Sequence, residues 1–128
     1  MLAAEEGRLT EAKEGLEAIV PVLRGLNQLT LAGTLGSLAV VNYKLGRFED
    51  AFNMGSEGLE LSRKTKKFFT LRWILKVLAE TEFERGNYES SLSFAHQALE
   101  FFERSGLFSA EIEELKALVK KLQEKLAH

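Results

Sequence analysis

Apolar side chains recur every three or four residues through most of the chain, the spacing that places them on one face of an α-helix. With its glycine and proline breaks, this pattern predicts helices over residues 9–25, 30–45, 48–63, 69–85, 88–104 and 109–127, with bounds good to a few residues. Residues 1–6 fit the end of a preceding helix that Gly7 closes. No segment alternates apolar and polar residues long enough to indicate a strand. The sequence therefore predicts an all-α fold.

Proline and short polar residues refine the predicted helix boundaries. Pro21 lies inside the first helical pattern. Because proline lacks an N–H and clashes with the carbonyl four residues back, we expect a kink or break near Val20. Thr30 and Ser109 stand where a side chain can cap the N-terminus of the next helix.

One stretch of sequence occurs three times at a nearly constant interval. The middle copy is Gly46–Leu61, the downstream copy is Gly86–Phe101, and a more divergent upstream copy is Gly7–Val22. The glycines that begin the copies stand at positions 7, 46 and 86, so the two intervals are almost equal. Self-similarity at a fixed period of roughly 40 residues indicates an array of repeated supersecondary units.

A fixed set of residues surrounds the two better-preserved glycines. The middle copy begins Gly-Arg-Phe-Glu-Asp-Ala, and the downstream copy begins Gly-Asn-Tyr-Glu-Ser-Ser, with Ser91 in place of alanine. Small and apolar residues recur at matching positions around these turns: Leu35, Leu38, Ala39, Leu75, Leu78, Ala79 and Ala98. This pattern resembles the tetratricopeptide repeat, in a variant of longer period, in which two helices are joined by such a turn. Asn42 and Glu82 occupy the position of the family's large aromatic residue.

The resemblance implies a single-domain α-solenoid of about two and a half repeats. We divide it into a half repeat over about 1–28, repeats over about 30–65 and 69–105, and a capping helix over about 109–127. In this family, ligands usually lie in a concave groove lined by the first helix of each repeat. Carried over by position, the groove residues are Gly36, Val40, Tyr43, Lys44, Trp73, Lys76, Glu80 and Phe83.

Several of these side chains have more than one interpretation. Tyr43 and Phe83 either line the groove or fill the core in place of the missing aromatic residues. Trp73 is expected to be exposed, because neighbouring leucines already supply the packing face. The carboxylate-clamp variant of the family needs Lys, Asn and Arg across the groove. Gly36 and Val40 stand at two of those positions, so binding of a C-terminal acidic motif in that manner is not expected.

Composition and charge exclude several classes of function. The net charge is −2 with acidic and basic residues interspersed, which favours neither nucleic acid nor anionic membranes as partners. No cysteine is present, so a disulfide scaffold and a thiolate metal site are excluded. This composition is compatible with the cytoplasm, where we expect the protein. The sequence contains no run of about 18 apolar residues, the length that a membrane-spanning helix needs.

The chain carries no recognisable catalytic, metal or cofactor motif, so we expect no enzyme activity. Of the two histidines, His96 and the terminal His128, His96 is expected on the surface. Lys76–Glu80 is expected to form an ordinary ion pair one helical turn apart. The basic run Arg63–Lys67 is interpreted as a solvated helix end.

The last helix has two interpretations. Its apolar residues Ile112, Leu115, Val119, Leu122 and Leu126 follow one another at alternating steps of three and four positions. They either cover the flank of the final repeat, as repeat arrays require, or form a short seam with a second copy. At the other end, the upstream copy has a second helix without a first, so either the chain belongs to a longer protein or this end pairs with another copy.

The leading hypothesis is a non-catalytic module that binds a peptide or helical segment of a partner protein around Trp73. The alternative is an effector-sensing or self-associating domain of a larger signalling or transcription regulator, with a small ligand between the repeats. A purely structural self-assembly unit is the third hypothesis.

Overall fold

The computed structural model describes residues 3–66 and 68–127, and within these ranges the chain is helical with short connections. The helices are α1 (Ala3–Leu26), α2 (Gln28–Lys44), α3 (Phe48–Lys64), α4 (Phe68–Glu84), α5 (Tyr88–Ser105) and α6 (Ser109–Leu126). The predicted all-α class is confirmed, and the ends of α2 to α5 lie close to their predicted bounds. Four positions of the sequence-based predictions lie outside the described residues: 1, 2, Lys67 and His128.

Helices α2/α3 and α4/α5 are two hairpins closed by the same turn. Gly46 and Gly86 have φ angles of 78° and 80°, a left-handed conformation that glycine adopts without steric cost. In both turns the next N–H donates to the carbonyl five residues earlier, at 2.8 Å from Arg47 to Asn42 and at 2.9 Å in the second hairpin. This hydrogen bond satisfies a carbonyl that the helix end would otherwise leave unpaired.

Small residues let the helices of the first hairpin pack closely against α4. A Cβ atom at Gly55 would lie 2.8 Å from Leu78 Cδ2, and one at Gly58 would lie 3.1 Å from Ile74 Cδ1. Larger buried side chains from α4, α5 and α6 extend this core: Leu71, Leu75, Ala95, Phe102 and Leu115. Because such an interior is close-packed, the fit of these side chains fixes how one hairpin sits on the next.

The helices form two layers, with the first helix of each hairpin on the inner side. Helix α2 lies against α4 and α4 against α6, whereas the backbones of α3 and α5 lie farther apart and are bridged by long side chains, as by Arg63 donating to Gln97. A layer whose members touch while the opposite layer is spread apart is the concave one. The predicted α-solenoid is therefore confirmed. Helix α1 packs on α2 and is linked to α3 by the ion pairs Arg24–Glu57 and Lys13–Asp50.

The first helix is continuous where the sequence predicted interruptions. Helix α1 runs through both Gly7 and Pro21, so the predicted turn at Gly7 is wrong, and the chain does not break near Val20. No aromatic residue follows Gly7 to pack behind a turn. Pro21 and Glu17, whose carbonyl loses its helical partner to the proline, are both exposed, so water can donate to that carbonyl.

Two predicted helix caps are also corrected. Asn27, not Thr30, caps α2, and its Oδ1 accepts a hydrogen bond from the Thr30 N–H at 3.1 Å. The residue before α6 is Phe108, with a left-handed φ of 63° and no side-chain cap, and Ser109 is the first residue of the helix. Both predicted caps thus lie inside the first turn.

Helix α6 covers the flank of the second hairpin. Leu115 and Leu122 are fully buried, and Ile112 and Val119 pack against the core. Of the five seam residues, Leu126 alone is classed as exposed. The apolar seam therefore packs largely within the chain, as a capping helix requires.

Candidate functional site

The inner face carries three adjoining cavities along α2, α4 and α6. Their volumes are about 280, 390 and 360 Å³, in order from the α2 side to the α6 side. Val40 and Trp73 line both the first and the second, while Lys76 and Glu80 line both the second and the third. We call this continuous depression the inner groove. All eight predicted groove residues line it: Gly36, Val40, Tyr43, Lys44, Trp73, Lys76, Glu80 and Phe83.

The centre of the inner groove is a single lysine held between two carboxylates. Lys76 Nζ lies 3.2 Å from Glu80 Oε1 and 2.9 Å from Glu114 Oε2. The predicted Lys76–Glu80 ion pair is thus present, with a second acid from α6. Burial opposes the charge on Lys76, but the two carboxylates outweigh it and raise the pKa of the ammonium. Burial also raises the pKa of Glu80, and the nearby Glu114 carboxylate acts in the same direction.

Tyr43 and Phe83 occupy equivalent positions in the two hairpins, one repeat period apart. Each ring packs 5.7 Å, between centroids, from the first aromatic residue of the following helix, Phe48 or Tyr88. Both are half-buried and line the groove, so each of the two interpretations describes part of these side chains. Burial, together with two nearby carboxylates of α4, raises the pKa of Tyr43 to about 12.

Trp73 is half-buried, which corrects the expectation that it is exposed. Its ring makes edge contacts with Phe102 at 5.1 Å and Phe108 at 5.4 Å, between centroids. These partners come from α5 and from the connection to α6, which helix positions alone did not place near it. The remaining surface of the indole lines the inner groove.

A family model of the tetratricopeptide repeat matches residues 31–65, which cover all of α3 and most of α2. The first hairpin thus matches a tetratricopeptide repeat. Repeats of this family generally mediate protein–protein interactions and are typically non-catalytic. No curated protein matches the sequence.

Helix α6 contributes residues to the repeat groove that the sequence prediction missed. They are Glu114, Ala117, Leu118 and Lys121, with buried Leu115 beneath them. Helices α2, α4 and α6 begin at positions 28, 68 and 109, so the second interval exceeds the first by a single position. If the groove positions of α4 are shifted along the sequence by the interval between α2 and α4, they therefore fall on the wrong face of α6. The spacing of the apolar residues in α6 was the signal that this helix packs in the inner layer, after α2 and α4.

The other candidate residues do not gather into a second chemical site. His96 is exposed on α5, as expected. Within residues 3–66 and 68–127, no three His, Asp or Glu side chains are placed to hold a metal ion. None of the described helices is both long enough and apolar enough to cross a membrane.

Proposed function

We propose that this protein is a non-catalytic cytoplasmic scaffold of the tetratricopeptide repeat type that binds a segment of a partner protein along its inner groove. The observation that carries the proposal is the continuity of the groove across α2, α4 and α6, with Lys76 and its two carboxylates at the centre. An extended or helical segment could contact all three helices at once, as recognition in a helical groove requires.

The lining of the groove suggests the chemistry of that segment. Val40 and Leu118 offer apolar surface on either side of the central ion pairs. Lys44, Lys121 and Glu84 form no ion pair among the residues that the structure describes. Their charges are thus available to a partner, whereas Lys76 is already neutralised. A segment with apolar anchors and charges of both signs fits this arrangement.

The proposal is tested with peptides selected by phage display against the immobilised protein. Ser37 and Lys44 are exposed groove residues, so the double variant Ser37→Asp/Lys44→Glu changes the groove without opening the core. We expect it to weaken binding of a selected peptide about tenfold, by charge repulsion and loss of an attractive cation. Fluorescence anisotropy measures the affinity.

The matched control places the same charge change on the outer helices. Ser93 on α5 and Lys64 on α3 are exposed and lie outside the groove, so Ser93→Asp/Lys64→Glu should leave the affinity unchanged. Equal weakening by both variants, or by neither, would contradict binding in the inner groove.

A small effector is the second candidate ligand. The cavity of about 360 Å³ between α4 and α6 falls in the size range of small-molecule sites, roughly 300–1,000 Å³, and combines rings with charged groups. A metabolite that binds there should raise the melting temperature, because it stabilises the native state alone. The same shift in a Lys76→Met variant would place the metabolite elsewhere.

A further inference from the structure

A second concave surface lies beyond one end of the inner groove, where α4 begins and α5 ends. It has a volume of about 460 Å³ and is lined by Phe68, Phe69, Arg72, Phe101, Arg104 and Ser105. We call it the aromatic–arginine cleft. Phe69 alone also borders the inner groove.

The rings of this cleft are exposed to an extent that folding does not require. Phe68 is 54% exposed and Phe69 is 61% exposed. Phe68 stacks on Phe101 with ring centroids 6.0 Å apart, which joins α4 to α5 and gives the cleft a preformed aromatic wall. Leu107, 65% exposed, lies next in sequence to Phe108, whose ring contacts Phe69.

Arg72 places an unpaired cation beside these rings. Its guanidinium carbon lies 4.4 Å from the centroid of Phe69 and 4.6 Å from that of Phe108. Its Nε is buried and has no hydrogen-bond partner, and no carboxylate of residues 3–66 or 68–127 pairs with it. The rings hold the guanidinium in place, so an incoming carboxylate would meet a positioned cation.

The surroundings of the cleft are also positive. Arg104 lies over Phe101 at 5.8 Å and forms an exposed ion pair with Glu100 one turn earlier, while Arg63 donates to the neutral amide of Gln97. Lys66 adds a further cation two positions before Phe68 in the sequence. The local excess of positive charge contrasts with the net charge of −2 for the whole chain.

We propose that the aromatic–arginine cleft binds an acidic segment of a partner protein in which an aromatic residue is flanked by carboxylates. The partner's ring packs against Phe68 and Phe101, while its carboxylates pair with Arg72 and, in exchange for Glu100, with Arg104. This site is separate from the inner groove and does not depend on what the groove binds.

Arg72 also favours an acidic peptide over a membrane surface as the occupant. Insertion of Phe69 into lipid would carry the guanidinium that rests on it toward hydrocarbon, where an unpaired charge is costly. A peptide carboxylate instead neutralises that charge by pairing with the guanidinium.

The test uses a blocked, fluorescently labelled peptide of sequence Glu-Asp-Phe-Asp-Glu, titrated with the full chain by fluorescence anisotropy. We expect saturable binding that weakens as salt is added. Phe68→Ala/Arg104→Gln should lower the affinity about tenfold, since it removes a ring and a charge-assisted contact. Both residues are exposed, so this variant should fold. Arg72→Gln should give a similar loss.

Matched controls distinguish binding at this site from non-specific binding. Arg8 and Ile19 are exposed on α1, so Arg8→Gln/Ile19→Ala removes the same kinds of group elsewhere and should leave binding unchanged. The groove variant Ser37→Asp/Lys44→Glu should also bind the peptide normally. Replacing the peptide's Phe by Ala, or its acids by Lys, should abolish binding.

Three results would overturn the proposal. The first is no saturation at protein concentrations up to about 1 mM, an affinity too weak for a specific segment. The second is binding that Phe68→Ala/Arg104→Gln does not weaken. The third is a protein that does not bind the peptide but sediments with phosphatidylserine vesicles. If Phe68→Ala/Arg104→Gln abolished that sedimentation, the cleft would be a membrane-binding site.

Discussion

The two hairpins have the same backbone conformation at their turns but place different polar side chains at one buried position. Asn42 and Glu82 are equivalent, one repeat period apart, and both are buried. Asn42 Nδ2 donates to the Leu38 carbonyl within its own helix at 3.0 Å, and its Oδ1 has no partner. Glu82 is bound on both oxygens, by Arg85 at 2.8 Å and by Asn87 Nδ2 at 2.9 Å.

The difference shows what the repeat needs at this position. The residues equivalent to Arg85 and Asn87 in the first hairpin are Leu45 and Arg47, so the carboxylate at position 82 and its donors occur together in one repeat only. A buried polar group is tolerated when the adjoining turn supplies its partners. The turn, rather than the residue type at this position, is therefore the invariant part of the two hairpins.

The same comparison explains the polarity of the groove. Lys76 and Glu80 of the second hairpin stand at the positions that Gly36 and Val40 occupy in the first. The first hairpin thus forms a small, apolar wall, and the second supplies the charged centre, to which Glu114 of α6 is added. Identical backbone positions give two different chemical surfaces within one groove.

The largest expected effect comes from neutralising the buried acid. Glu82→Gln keeps the size of the side chain but removes the charge that Arg85 pairs with and replaces one acceptor oxygen by an NH₂ group. We expect a loss of about 2 kcal/mol in the free energy of unfolding, measured by urea titration, because a bond to a charged group is removed. Glu124→Gln, on the exposed face of α6, is the control and should change the free energy by less than about 0.5 kcal/mol.

A smaller effect is expected where the first hairpin has glycine and the second has alanine. Gly58 is equivalent to Ala98, but a Cβ at Gly58 would lie 3.3 Å from the Ala32 carbonyl oxygen as well as close to Ile74. Gly58→Ala should lower the free energy of unfolding by about 1 kcal/mol, since crowding exceeds the gain in helix propensity.

The control for this substitution is a helical glycine with open space around it. Nothing lies within 4 Å of a Cβ at Gly15 in α1, so Gly15→Ala should raise stability by about 0.5–1 kcal/mol. Equal stabilisation by both substitutions, in parallel thermal unfolding curves, would show that α3 and α4 do not approach each other as described.

The smallest effect under neutral conditions concerns Tyr43, whose equivalent in the second hairpin is Phe83. In a Tyr88→Phe background, ultraviolet absorbance of the phenolate should report ionisation of the remaining tyrosine with a pKa of about 12. The native state then keeps a proton that the unfolded chain loses near its ordinary pKa of 10.0. Stability should therefore fall as pH rises between these two values. A titration midpoint near the ordinary pKa of tyrosine, in a protein whose circular dichroism still shows native helix content, would contradict the burial of the Tyr43 phenol.

The sequence predicted the helix boundaries well only where a glycine turn is followed by an aromatic residue. The Gly46 and Gly86 turns, each followed by an aromatic residue, predicted the bounds of α2 to α5 closely, because left-handed glycine and ring packing are local requirements. The glycine at position 7 lacks that aromatic residue, and there the same reasoning produced a turn that does not exist.

The groove was predictable only for the hairpins that keep the period. Contacts made across the array have no local signal in the sequence, such as Trp73 against Phe102 or Lys76 against Glu114. The additional residue before α6 rotates that helix relative to the period, which hid its contribution. The burial of Trp73 and the second acid at Lys76 thus follow from stacking and required the three-dimensional structure.

Binding along the inner face can be observed directly by methyl NMR during titration with a phage-selected peptide. Val40 and Leu118 report on opposite walls of the inner groove, while Val22 on α1 and Leu99 on α5 lie outside it. The account predicts that the Val40 and Leu118 signals shift together and saturate, with Val22 and Leu99 unchanged. Shifts confined to Val22 and Leu99 would contradict it.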